Sequence, residues 1–461
     1  MARCGKMWVL GVVGVMLWGC APAPGPRPAG MEGAGERGAA AAAAAPGVVS
    51  SSGAAAAHLA AAVVVSPSWT GAAGAAAGAA PAFGVAPLGA AARARLVAEI
   101  EKVLRRAPVS RAALSVVIFE VAAGSAAPLL ATESAALRKP ASNLKLVTTA
   151  AALGLLGEDY RLETVAQATG TIDAEGRLDG DLVLRFGHDF SYAKPFYRHA
   201  SSPLNALAAD LHAAGLRRVG GKVVVSGELV YGGTATGEFK PGKHRQAGAK
   251  ALRAALQAAG IRVGQVVVRD DFPAIEEGRV LARHQSPPLA VLIQPINQAS
   301  HNEMADLLLR HLGWRHRGES SYAAGAEAVL AWLAAQGMDT AGMVMADGSG
   351  LSHDNRVSAA QLAALLTVMW RGPLRAPWVE SLAVGGESGT YAGRLRGADT
   401  KGHCHLKSGT LRDVIASSGF VVNAHSGRVY GVALVLNEMR QKQAGRAALD
   451  AVVRVLAGEG G

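Results

Sequence analysis

Residues 21–90 are almost all Ala, Gly, Pro, Ser and Val, as in "GERGAAAAAAAPGVVSSSG" and "TGAAGAAAGAAPAFG". Large apolar side chains are too few there to offset the entropy of ordering the backbone. The stretch is therefore expected to be a flexible tether. Whatever folds in this 461-residue chain must come from residue 91 onward, which is still length enough for two or more domains.

Ahead of the tether, Arg3 and Lys6 precede "MWVLGVVGVML", an apolar run too short to span a bilayer as a mature helix. The next residues are "LWGCAPAPGP", with Gly19 directly before Cys20 and Leu17 three before it. The pattern is similar to the lipobox of bacterial lipoproteins, although Trp18 is an unusual occupant. Residues 1–20 are read as a removed leader, and Cys20 as the lipidated first residue that attaches the chain to a membrane. The other cysteines are Cys4, inside the leader, and Cys404, too few for a disulfide framework. A net charge of +11 would suit nucleic acid. An exported protein instead meets carboxylate-bearing polymers and acidic membrane surfaces, so no nucleic-acid partner is expected. No run of four Lys/Arg occurs.

Folded sequence begins at "RARLVAEIEKVLRR" (93–106), which has helical apolar spacing. A predicted hairpin follows, "ALSVVIFEVAAGS" with "APLLATE". Between 161 and 245 short strands and one helix suggest a small inserted β-rich domain. It divides a larger domain into 91–160 and 246–461. That domain ends in two strands around a short polar turn and a last helix, "GRAALDAVVRVLAG". The expected class is α+β.

"KPASNLKLVTTAAALGLLG" (139–157) places Ser142 at the start of an apolar-faced helix and Lys145 on the same side, three residues on. A serine attacks only if something takes its proton, and a lysine does so only when neutral. Burial and a second nearby cation both lower a lysine pKa. An N–H in a helix's first turn can stabilise an oxyanion. One S-x-x-K pair proves little; a second copy, Ser191 to Lys194, is followed at once by Pro195 and lacks the helix start. Downstream, Ser300-x-Asn302 heads another apolar-faced helix, and Lys407-Ser408-Gly409-Thr410 lies on a strand leading into the closing hairpin.

S-x-x-K, S-x-N and K-[ST]-G in that order are the signature of penicillin-binding proteins and serine β-lactamases. With "GDLVL", "INQASHNEMADLLLRHLG", "DGSGLSHDN" and "KSGTLRDVIASSGFVVN", the chain over 93–455 resembles the class C D-alanyl-D-alanine carboxypeptidase/endopeptidase family. The resemblance implies a serine DD-peptidase/β-lactamase-like fold: an antiparallel sheet flanked by helices, a helical subdomain and the insertion. It implies that Ser142 is acylated by the D-Ala–D-Ala carbonyl of peptidoglycan stem peptides, and by β-lactam antibiotics. Lys145 would be the base, Ser300 the relay to the leaving amine, and Asn302 the partner of Lys145. Lys407 would depress the Lys145 pKa and attract the terminal carboxylate. Ser408 and Thr410 would bind that carboxylate, with Gly409 between them, and the N–H groups of Ser142 and Thr410 would form the oxyanion hole. No cofactor is implied.

The third motif reads KSG where KTG is commoner, and the family's Gly-Asp-Pro is His188-Asp189-Phe190 here. The chain passes from "SGELVYGG" almost directly to "AKALRAALQAAGIRVG", so the insertion is short. "HCH" (403–405) could suggest zinc, but on a strand Cys404 points away from His403 and His405, and no metal is expected. Two rival functions use the same fold: a β-lactamase or esterase, and a non-catalytic envelope scaffold lipoprotein. The absence of an ExxLN element counts against a class A β-lactamase.

Overall fold

The computed structural model describes residues 87–458 apart from 108, 123, 125–126, 234–235 and 271–277. The leader, Cys20 and all but the last residues of the expected tether lie outside the described residues. Among the described residues no helix is long and apolar enough to cross a membrane.

A six-stranded sheet runs Ala383–Val384, Cys404–Thr410, Ile415–Val422, Val429–Leu436, Leu114–Glu120, Leu130–Thr132, antiparallel throughout. The expected opening and closing hairpins both lie in it. Leu114–Glu120 and Val429–Leu436 are buried at every position, which explains their near-continuous apolar sequences. Alternation still sorts their side chains. Val116 and Ile118 join Ile100, Leu449 and Val453 beneath the terminal helices Ala90–Arg105 and Lys442–Ala457. Val117 and Phe119 join the opposite cluster, with Leu146, Leu366 and Met369 of the helical half.

At the centre of that half is the helix Leu144–Leu156, buried at every position from Leu144 to Leu153. A helix apolar on all sides belongs inside a core, and this one packs among the helices Leu289–Asn297, Asn302–Arg317 and Tyr322–Ala335. Antiparallel sheet and helices in separate layers confirm the α+β class.

The second sheet differs from the expected β-rich insertion in a physical respect. Its order is Val266–Val268, Val223–Leu229, Leu182–Asp189, Glu163–Ala168, Arg279–Gln285. The first three strands are mutually parallel, connected through the helices Ser202–Ala213 and Pro241–Ala258. Parallel neighbours need such crossovers. The expected boundary at 245 falls inside the second crossover helix, and strands from both sides of it share this sheet.

Candidate active site

The residues before Ser142 are held at both ends. Asn437, just past the Val429–Leu436 strand, accepts from the Lys139 N–H at 3.0 Å and donates to the Lys139 carbonyl at 3.1 Å. The Lys139 side chain pairs with Asp413. Ala141 then takes a left-handed φ of 48°, a conformation that costs a non-glycine residue roughly 1–3 kcal/mol. Two glycines make room for this turn. A Cβ on Gly350, itself at φ +81°, would lie 1.9 Å from the Ala141 carbonyl oxygen; one on Gly409 would lie 3.0 Å from that of Pro140. Ser142 emerges half-buried in the 3-10 turn Ala141–Asn143, which runs directly into the buried helix.

Lys145, one residue into that helix, is fully buried. Its Nζ lies 3.1 Å from Ser142 Oγ, 2.7 Å from Asn302 Oδ1 and 2.5 Å from the Ser349 carbonyl oxygen. Those three acceptors match the three donors of an ammonium. Burial nevertheless pulls its pKa down to about 7, against the opposing pull of Asp306 and Asp347. Burial likewise raises Asp306 to about 7, reinforced by Asp347. Amine and carboxyl are thus both drawn toward their neutral forms, so that near neutrality the amine can accept a proton.

Across the cleft, Lys407 is also fully buried and donates to Ser300 Oγ at 2.8 Å and to the Ser408 carbonyl at 2.9 Å. Its pKa falls well below the lysine range through burial, and further through the charge of Lys145. The expected influence ran the other way, from Lys407 to Lys145. Burial comes first among the causes of the Lys145 depression, opposed by Asp306 and Asp347, and Lys407 is not among them. Ser300, half-buried, holds φ 60° immediately before the helix Asn302–Arg317, whose cap is the His301 side chain.

The strand Cys404–Thr410 carries the third motif. On its outer side Ala383–Val384 pairs with Leu406 and His405, and among the described residues the edge from Lys407 to Thr410 has no neighbouring strand. Ser408 Oγ donates to Thr390 Oγ1 at 2.8 Å. Thr390 is anchored by its N–H, which donates to the Gln298 carbonyl at 3.0 Å. Thr410 is exposed at the end of the strand.

Ser142, Lys145, Ser300, Asn302, Lys407 and Ser408 therefore meet at one cleft, with Gly409 against Pro140 and Ala141, the residues that lead into Ser142. The second S-x-x-K pair does not meet: Ser191 is buried and Lys194 exposed. Cys404 lies in the apolar cluster under the terminal helices, on the face opposite Lys407. Four contributors were not picked out from the sequence: the Ser349 carbonyl, Asp306, Asp347 and Thr390. The "DGSGLSHDN" loop forms a wall of the site. Asp347 accepts from the N–H groups of Gly350 and Ser352 at 2.7 and 2.6 Å, and Asp306 from that of Gly348 at 3.1 Å. A glycine-rich turn was legible there; its carbonyl contact to Lys145 was not.

A six-stranded antiparallel sheet beside a helical half, with serine and lysine motifs between them, defines the penicillin-binding-protein fold. Penicillin binding protein 4 of Haemophilus influenzae superposes with a TM-score of 0.65 at 19% identity, over 78% of this chain and 98% of that one. A predatory peptidoglycan endopeptidase from Bdellovibrio bacteriovorus gives 0.53 at 18% identity, over 74% and 90%. The profile of the D-Ala-D-Ala carboxypeptidase 3 (S13) family matches residues 96–241 and 234–458, and the chain belongs to that family. A D-alanyl-D-alanine carboxypeptidase of Actinomadura sp. is 37% identical over 173 residues, 36% of this chain and 32% of that protein. Carboxypeptidase DacB of Mycolicibacterium smegmatis is 32% identical over 213 residues, 45% of each chain. The matched segments thus span about a third to under half the length of these curated relatives.

Proposed function

We propose that this protein is a serine-type D-Ala-D-Ala carboxypeptidase or endopeptidase that acts on peptidoglycan stem peptides. The observation that carries the reading is the buried Lys145 amine, 3.1 Å from Ser142 Oγ, with its pKa at about 7. Neutral Lys145 takes the hydroxyl proton as Ser142 Oγ attacks the penultimate D-Ala carbonyl. The N–H groups of Ser142 and Thr410 receive the oxyanion. Collapse breaks the C–N bond; the proton returns from Lys145 through Ser300 to the leaving amine, and the acyl group stays on Ser142. Water, deprotonated by the same amine, then releases the acid and regenerates the serine. Lys407 attracts the terminal carboxylate, which the Ser408 and Thr410 hydroxyls hold. The open Lys407–Thr410 edge supports binding of the stem peptide as an added antiparallel strand.

Family membership supports this assignment, as does the capture of the Bdellovibrio endopeptidase acylated by penicillin G. Family membership also favours the cell envelope as the place of action; attachment through a lipid on Cys20 rests on the lipobox-like residues before it. We further infer that residues 161–245, with the strands Val266–Val268 and Arg279–Gln285 that share their sheet, form a unit inserted into the catalytic domain. The two family matches overlap at 234–241, beside the place where the sequence reads as a short insertion.

The test is labelling of the full chain with a fluorescent penicillin, beside Ser142→Ala and Ser191→Ala. A stable adduct in the parent and Ser191→Ala, absent from Ser142→Ala, is the expected result. Rapid drug hydrolysis without an adduct would assign a β-lactamase; neither adduct nor hydrolysis would leave the scaffold reading.

A further inference from the structure

A second basic region lies far from the cleft. The Ser142 helix ends at Leu156, and the Asn302 helix at Arg317. At ~1.5 Å per residue both run roughly 20 Å from the catalytic end. Near their far ends a cavity of about 410 Å³ opens against the second sheet, lined by Tyr160, Arg161, Arg185, His311, Trp314 and Arg315, with Asp159 and Glu163.

Arg185 reaches it by strand alternation. In Leu182–Asp189 the residues Leu182, Leu184 and Phe186 turn into the core beneath the crossover helices, so Arg185 takes the other face. Arg161 donates to the Ser286 carbonyl at 2.8 Å. Arg315 lies 6.0 Å from the Tyr160 ring centre and 5.8 Å from that of Trp314. Tyr160 OH and His311 Nε2 are hydrogen-bonded at 2.9 Å, and burial holds His311 neutral. Glu163 is already engaged by Arg283 at 3.1 Å and by Gln285 at 3.0 Å.

We propose that this cavity is a second binding site, for a peptide that presents a free carboxylate beside a flat or apolar side chain. With Glu163 engaged by Arg283, the three lining guanidiniums outnumber the remaining carboxylate, Asp159, so the cavity favours an anion. The guanidinium fork matches a planar carboxylate. Tyr160 and Trp314 offer aromatic surface to the body of the ligand. The volume lies within the range of small-ligand sites. The site is independent of the chemistry at Ser142.

The experiment is calorimetric titration of full-length Ser142→Ala protein with N-acetyl-phenylalanyl-glycine, its C-terminal amide and inorganic phosphate. The free acid is expected to bind saturably, and amidation to weaken it about tenfold or more, as loss of charge-assisted hydrogen bonds does. Added Arg185→Gln and Arg315→Gln changes should each weaken it similarly while penicillin labelling of the Ser142-containing versions is retained. Arg161→Gln, at an exposed position, is the variant least apt to disturb folding and should also weaken binding. The proposal is overturned if the acid does not bind, if the amide binds equally, if the three arginine variants bind like the parent, or if phosphate binds more tightly than the peptide acid.

Discussion

Two regions of this molecule concentrate basic side chains, and they use different ones. The cleft buries two lysines; the distal cavity gathers three arginines. A lysine taken out of water gives up its proton, whereas an arginine remains charged at any pH a protein experiences. The lysine region is therefore suited to moving a proton, and the arginine region to holding a fixed charge.

Exchanging the two chemistries breaks the comparison most directly. Lys145→Arg fixes a permanent charge and discards the base, so penicillin acylation should slow about 10³-fold, within the usual range of a general base. The parent's pH profile gives the same contrast. Lys145 titrates at about 7, so acylation should fall roughly tenfold per pH unit below that point and level off above it. A break instead near the ordinary lysine range, measured by stopped-flow labelling, would show that burial does not set the base.

Gly350→Ala separates geometry from proton chemistry. The new methyl would strike the Ala141 carbonyl, at an expected cost of about 1–3 kcal/mol in chemical denaturation. Labelling should slow while its pH midpoint stays near 7. A smaller effect is expected of Thr390→Val, which removes the partner of Ser408 Oγ. About 1 kcal/mol of positioning is at stake, or roughly fivefold in KM for a D-Ala-D-Ala peptide, with kcat little changed. Arg185→Lys, the reverse exchange, should leave acylation within about twofold and show that the distal charge plays no part in proton transfer.

The sequence made the S-x-x-K, S-x-N and K-S-G elements legible because each is a short spacing at a helix start or on a strand, and local rules govern both. The apolar runs of the closing hairpin and the Ser142 helix were legible for the same reason. What escaped notice arrives through tertiary contact. Ser349 presents a carbonyl, which every residue has, and reaches Lys145 across 204 positions of chain. Asp306 sits on an apolar-faced helix, where one carboxylate looks like a solvated residue until Asp347 is folded against it. Thr390 belongs to a short exposed turn without periodicity. The parallel pairing of the second sheet was hidden too, since strand spacing alone does not reveal which way neighbours run.

The short Ala383–Val384 strand, which covers the outer edge of the motif strand only opposite Leu406 and His405, also acts as an end stop. An extended chain laid along the remaining edge has four residues, Lys407 to Thr410, to pair with. At ~3.3 Å per residue this is about 13 Å of contact. The sheet edge is thus a ruler with a fixed zero. In the proposed binding mode it would measure a few residues of ligand backbone from one end, whatever the length of polymer beyond the other.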